Sequence, residues 1–381
     1  MIHSNAISSL EEWIPKSTSY YRSKRNYDID DEQTTSRLSA SISSGVISET
    51  DVLTKVHDSG ISMHNNKFIE EIFWRIYFRG YFETHPEIWN NYKKQLDTDR
   101  DSVDSKSFND ATEGKTDIDC FNAWVHQLKS NGFLHNHSRM WFASIWIFTL
   151  NLPWTLGCDL FMRYLVDTDE ASNILSWRWV AGLHTSKKPY VARPENIKKY
   201  TDKFNPVNQL TTSPKPIVED KNYRFTPLNY NVNFENDVTL LMLDNFLEIE
   251  SQAFYNKNFK DFFVLNLSEY NNKRIDRRML DCRDEIILNI SKKIKIEPTY
   301  FTSKDLSILS GKRLVTNYQK SGYLNDFLVD VVENINRSSK LDYFNRKVDA
   351  LSWNHCKGGY FKLKNQISNI VDELIQPSLF S

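Results

Sequence analysis

Four short stretches of this sequence hold residue types that can bind or react. Thr34, Thr35, Ser36, Arg37, Leu38 and Ser39 place three hydroxyls in a row and a fourth just beyond, ahead of a helical pattern. Such a run either caps a helix or, with exposed N-terminal amides, binds phosphate. Helical spacing around Glu70–Arg79 puts Glu71, Trp74, Arg75 and Phe78 on one face. A carboxylate, an indole and a guanidinium there either clamp a planar polar ligand or form an ion pair with aromatic packing. His135 and His137 suggest a metal, but residues two apart on a helix diverge by about 200° and cannot share an ion there. Asp167 and Asp169 form a D-x-D pair, followed by Asn173, Trp177, Arg178 and Trp179. Calcium is a poor reading, because the position where an EF-hand would close with Glu is Arg178.

The elements that must position these groups follow from composition and periodicity. The chain has 381 residues, enough for two domains or one large one. Its 48 Lys and Arg balance 49 Asp and Glu, which excludes a polybasic tail protein but leaves room for a local nucleic-acid face. Aromatics make up 13%, so the chain has a heavily aromatic core or handles flat ligands. Cys120, Cys158, Cys282 and Cys356 form no C-x-x-C pair, which argues against structural zinc and fits a reducing compartment; an iron–sulfur cluster from such distant segments is not expected. No signal peptide is visible. The apolar run Trp141–Trp154 is 14 residues long and reads as a buried helix rather than a membrane span. A cytoplasmic protein is expected.

Residues 1–206 read as mainly helical, with clear spacing in Phe68, Ile72, Ile76 and in Phe121, Trp124, Val125, Leu128. Gln95–Asp119 carries eight acids and three bases and reads as a solvated loop or insertion. Residues 207–237, rich in Pro, Asn and Thr, read as a linker. Beyond it, Val238–Leu243, Phe262–Leu267, Pro298–Phe301 and Arg313–Thr316 predict strands, alternating with amphipathic Arg277–Ile294 and Leu324–Ile335. Residues 238–381 are therefore expected to be a small α/β, Rossmann-like domain with a mostly parallel sheet.

The order TSRLS, E-x-x-WR, HN-x-x-RM, D-x-D-x-x-x-N-x-x-x-W-x-W across residues 21–206 resembles the photolyase/cryptochrome flavoproteins, specifically their all-helical FAD-binding domain. The resemblance implies FAD as cofactor. By it, Tyr21, with Arg25 in Y-x-x-x-R, contacts the cofactor, and Thr35, Ser36, Leu38 and Ser39 hold its diphosphate. Arg139 and Asp167 are the charged pair beside the isoalloxazine, Asp169 accepts from its polar edge, and Asn173 faces flavin N5. Arg75 and Asn136 also fall among the cofactor positions. An amide at the Asn173 position is the repair enzymes' habit. Glu71 is at the position that hydrogen-bonds the damaged bases, and Trp74 and Trp179 are at the two indole walls. Asn136 and Met140 complete the pocket floor, where (6-4) enzymes usually place two histidines. Arg75 and His137 complete the expected DNA-facing set.

The reading these residues carry is light-driven splitting of cyclobutane pyrimidine dimers in DNA, with a signalling photoreceptor lacking repair as the alternative. Photoreducing electrons would enter through Trp177 and Trp154. At the third position, just before Glu113–Thr116, stands Ala111, and Trp141, Trp146 or Trp124 would have to substitute. His137 replaces a frequent DNA-touching Arg, and Ser186–Phe204, with six bases and two acids, either contacts phosphates or is a solvated basic loop. The resemblance implies an α/β antenna domain ahead of the helical one. Here the helical signatures begin within the first 40 residues and the α/β pattern follows them, as a rearranged counterpart or something unrelated. The sequence does not support an antenna chromophore, and a monomer is expected.

Overall fold

The computed structural model describes residues 3–184, 187–219, 221–231, 233–245, 252–270 and 277–375. It is rich in helix and holds one five-stranded parallel sheet. Contacts divide the chain into two compact units. The first is Met1–Pro15, Leu38–Thr84 and Thr226–Ser381; the second is Lys16–Arg37 and His85–Phe225. This division cuts the chain differently from the expected segments 1–206, 207–237 and 238–381. The stretch 207–237 holds no helix or strand among its described residues.

The first unit is built around strands β1 (Val238–Met242), β2 (Phe259–Leu265), β3 (Pro298–Phe301), β4 (Arg313–Asn317) and β5 (Lys340–Phe344), in the order β3-β2-β1-β4-β5. All ladders are parallel, with Leu240 opposite both Phe262 and Val315. Central strands of such a sheet are covered on both faces, so they read as continuous apolar runs. Every residue of β1 is buried. Leu241, Phe263, Leu265, Leu314 and Leu341 form one face of the core, against Leu328, Val331 and Ile335 of the Tyr323–Ser338 helix. The four expected strands are present. β5 was not anticipated, because KLDYF sits at the sheet edge with only Leu341 and Phe344 buried.

The same unit holds the helices Glu49–Asp58 and Lys67–Glu83. A reciprocal capping box of Ser48 and Asp51 starts one, and Asn66, accepting from Phe68 N at 2.9 Å, starts the other. The end of the chain packs on them. A Cβ on Gly80 would come within 2.5 Å of Trp353 Cδ1 and 2.8 Å of Cys356 Sγ, so only glycine allows the Lys67–Glu83 helix this approach.

The second unit is helical: Glu87–Ser102, Ser105–Glu113, Asp119–Asn131, Asn136–Ser144, Trp154–Tyr164, Glu170–Val180 and Pro194–Tyr200. Two expectations are corrected here. The acidic stretch is not a loop. Leu96 and Ala111 are buried, Asp104 caps the Ser105–Glu113 helix through Ser107 N at 2.8 Å, and Gly114 ends it in the left-handed conformation. The acids simply line the outer faces. Nor is Trp141–Trp154 one helix. It ends in a wide turn, Ile145–Thr149, and restarts at Trp154 after Asn151, at φ 53°, and Pro153. No described helix is long and apolar enough to cross a membrane.

Gly80→Ala should destabilise the protein by about 1–3 kcal/mol through overpacking. Thermal unfolding checks this; an unchanged midpoint would mean that the chain end does not sit this close to the helix.

Candidate functional site

The residues singled out by sequence fall on both units. In the second unit, His135 caps the Asn136–Ser144 helix with its own ring, Nδ1 accepting from His137 N at 3.1 Å. That cap aims Arg139 along the first turn. Its Nε donates to Leu134 O at 2.8 Å and its Nη2 to Asp167 Oδ2 at 2.9 Å. Asp167 is 7% exposed, so this is a nearly dry carboxylate paired with a partly buried guanidinium. Asp169 caps the Glu170–Val180 helix, accepting from Ser172 N at 3.1 Å. One turn on, Asn173 Nδ2 donates to Cys158 O at 2.9 Å and lies 3.3 Å from Cys158 Sγ. Burial pushes the Cys158 thiol well up, so it stays protonated. The amide nitrogen of Asn173 is thus committed, and its oxygen is the end left to accept.

A cavity of about 270 Å³ opens in this unit, lined among others by Arg25, Asn136, His137, Met140, Tyr190 and Tyr200. Asn136, His137 and Met140 therefore line one cavity. His137 does not reach outward. Its ring stacks on Trp141 at 4.0 Å, and its Nδ1 lies 2.9 Å from Asn26 O. Burial lowers its pKa, so at neutral pH it carries no charge for a phosphate. Trp179 stacks on Tyr190 at 5.4 Å.

Trp177 is buried against Phe161 at 5.1 Å and Trp146 at 6.4 Å. A Cβ on Gly157 would meet its ring edge at 2.3 Å, one turn along the helix from Trp154. Trp154 leads to Tyr92 at 5.8 Å, and Tyr92 to Trp89 at 5.8 Å. Of the three tryptophans expected to replace the missing third, Trp146 touches Trp177, whereas Trp124 and Trp141 stack on each other at 5.8 Å. The Tyr92–Trp89 pair was missed, because neither spacing nor motif marks it. Ala111 is fully buried.

The hydroxyl run does not cap its own helix. Leu38 stands at the N-cap of Ser39–Ser43 without a side-chain bond, and Arg37 sits at φ 56°. Thr34 Oγ1 turns away, to Tyr27 O at 2.7 Å. Thr35, Ser36 and Ser39 are each half-buried. Tyr21 is 9% exposed.

In the first unit the Lys67–Glu83 helix carries Glu71, Trp74 and Arg75. Glu71 is exposed and Trp74 half-buried. Arg75 turns inward, its Nε 3.0 Å from Glu49 Oε1 and its Nη2 donating to Ser43 Oγ at 2.9 Å. Glu49 also takes Arg346 Nη1 at 2.6 Å, and Arg346 forks onto Asp349 at 2.7 and 2.8 Å. Burial alone would raise the Glu49 pKa, but Arg346 and Arg75 outweigh it and hold it at about 2. No distance in the sequence connects these residues, so this cluster could not be foreseen. One face of Trp74 is covered by Tyr360, stacked at 3.8 Å and 14°. Among the described residues no group of three or more His, Cys, Asp or Glu could hold a metal.

Residues 68–215 match the family model described as the FAD binding domain of DNA photolyase. A deoxyribodipyrimidine photo-lyase of Alkalihalophilus pseudofirmus is 31% identical over 211 residues, 54% of this chain and 41% of that one. The Escherichia coli enzyme of the same name is 30% identical over 194 residues, 49% and 40%. A cryptochrome DASH of Idiomarina loihiensis is 25% identical over 200 residues, 51% and 44%. In each case the match spans under half of the relative's length. Among solved structures, a class III photolyase from Agrobacterium tumefaciens is 28% identical, at TM-score 0.43, over 52% of this chain and 42% of that one.

Glu49 has a folded pKa below its unfolded one, so its contribution is present above the unfolded value, near 4.5, and is lost as pH falls toward about 2. Glu49→Gln should remove roughly 3 kcal/mol at pH 7 and flatten the loss of stability between those values. Urea unfolding across pH checks it; parallel curves for the two proteins would exclude the cluster as the acid-sensitive element.

Proposed function

We propose that this chain, a bearer of the FAD-binding domain of the photolyase/cryptochrome family, is a light-dependent repair enzyme for cyclobutane pyrimidine dimers in DNA. The observation that carries the reading is the ion pair between Arg139 and the nearly dry Asp167 carboxylate, alongside an Asn173 amide whose nitrogen is already committed to Cys158. That arrangement suits a flavin. Arg139 and Asp167 offer opposite charges to a polarised ring system, and Asn173 offers a neutral acceptor to N5–H. A neutral amide there adds no charge to oppose a reduced, anionic ring. Thr35, Ser36 and Ser39, with the backbone at Leu38, would hold the diphosphate, Tyr21 would pack on the cofactor, and Asp169 would accept from its polar edge.

Bound there, FAD would supply light-driven one-electron chemistry with no net oxidation or reduction, enough to open the two carbon–carbon bonds that join the bases. The remaining work is binding. By the resemblance, Glu71 would accept hydrogen bonds from the flipped bases and Trp74 and Trp179 would stack on them, while Asn136 and Met140 line a cavity of the second unit. Indole stacking contributes about 1–3 kcal/mol per base. No general base, nucleophile or metal enters.

A signalling photoreceptor without repair is the second reading. His137 favours it: half-buried, stacked on Trp141 and uncharged, it cannot do the work of a phosphate-binding arginine.

The protein with chemically reduced flavin, illuminated with dimer-containing DNA, should restore thymine absorbance. A flavin-loaded protein that leaves the dimers intact would establish the second reading. Glu71→Ala should lower repair severalfold and keep the flavin. Arg139→Ala should strip the flavin, because it removes the guanidinium paired with the buried Asp167 carboxylate; full flavin content in that variant would refute the pocket assignment.

A further inference from the structure

Residues 353–364, WNHCKGGYFKLK, hold three lysines and no acid. The segment has no motif, and neither the resemblance nor the matched stretch 68–215 includes it. The structure gives it two faces. Trp353, Cys356, Tyr360 and Leu363 are at most 4% exposed and turn in toward the Lys67–Glu83 helix. Tyr360 is fixed there three ways. Its ring lies flat on Trp74, its edge meets Tyr77 at 5.7 Å, and its hydroxyl donates to Glu70 O at 2.8 Å. Tyr77 Oη donates in turn to Gly358 O at 2.8 Å, and Lys364 pairs with Glu70 at 3.1 Å. Burial raises the Glu70 pKa, but Lys67 and Lys364 overcome this and keep it below the usual value, so the pair is charged at neutral pH.

The other face points to solvent. Phe361 is 73% exposed, the most exposed aromatic among the described residues, and Lys357 and Lys362 beside it are exposed as well. An exposed phenyl ring between lysines, on a segment held rigidly underneath, is poorly suited to water. It is well suited to an unpaired nucleic-acid strand, where phosphates meet the ammonium groups and a base meets the ring. The anchor of the segment is Trp74, so such a strand would continue onto the indole.

We infer that residues 357–364 are a nucleic-acid contact: Lys357 and Lys362 meet backbone phosphates, Phe361 stacks on an unpaired base, and Tyr360 is a positioning residue that holds the Trp74 indole in plane. The inference rests on Trp74 being a base-stacking wall.

The test is dark binding of the full chain to a labelled single-stranded oligonucleotide carrying one thymine cyclobutane dimer, and to its undamaged twin, between 50 and 200 mM salt. Lys357→Gln with Lys362→Gln should weaken both alike and lower the slope of log K against log salt by about one to two. Phe361→Ala should weaken both about tenfold. Tyr360→Leu should lose preference for the damaged strand, and Tyr360→Phe should retain it, which a merely stabilising role would not produce. Unchanged affinity and slope in the folded lysine variant overturn the inference, as does binding to anionic lipid vesicles in place of the oligonucleotides. The outcome is separate from the repair reading. Light-driven repair with unaffected variants removes this contact only; weakened variants of a protein that repairs nothing remove the repair reading only.

Discussion

A buried carboxylate is tolerated only where cations meet it, and Glu49 sets that requirement for the whole first unit. It is 5% exposed and lies between Arg75 and Arg346, with Asp349 completing the balance. Removing one partner of such a cluster leaves an uncompensated charge, at about 3–5 kcal/mol. The requirement is also positional. Arg75 is the residue after Trp74, so the rotation of the Lys67–Glu83 helix that satisfies Glu49 is the rotation that sets where Trp74 and Glu71 point. Arg346 follows β5 by two residues, so Glu49, bonded to both arginines, links the edge of the sheet to that helix. A site residue and a sheet edge thus answer to one carboxylate.

The legible parts of the fold were those with a local cause. β1, β2 and β4 are apolar runs because both faces of a parallel sheet are covered, and a run of that kind is readable at sight. β5 has the same pairing but lies at the edge, where Lys340 and Asp342 break the run. The acidic stretch from Gln95, which holds the end of the Glu87–Ser102 helix and all of Ser105–Glu113, was missed for the opposite reason. Its charge was counted, whereas the buried Leu96 and Ala111 that fix it were not weighed at helical spacing.

In the candidate site, the order of motifs pointed to Arg139, Asp167 and Asn173, and the structure shows what holds each of them. It could not point to their supports. Cys158 is an unremarkable buried cysteine until Asn173 is seen to donate to it, and Tyr360 stands 286 positions from Trp74 in the sequence. Arg75 illustrates the converse. Its place in a recognisable pattern suggested a ligand contact, yet its donors face Glu49 and Ser43, the ion-pair alternative that the residue types themselves allowed.

These supports bear on what a domain is in this chain. The helix Lys67–Glu83 reads as part of a helical half that ends near residue 206. Its Gly80 is shaped for Trp353, its Trp74 for Tyr360, and its Tyr77 hydroxyl for Gly358. A chain cut at 237 would expose the apolar seam along that helix and would strip Arg346 from Glu49. The motifs occupy one half of the sequence, but the packing that makes Trp74 a flat, fixed surface is supplied from the other. Burial of that seam, rather than the linear order of the motifs, decides which residues must fold together before any ligand can be held.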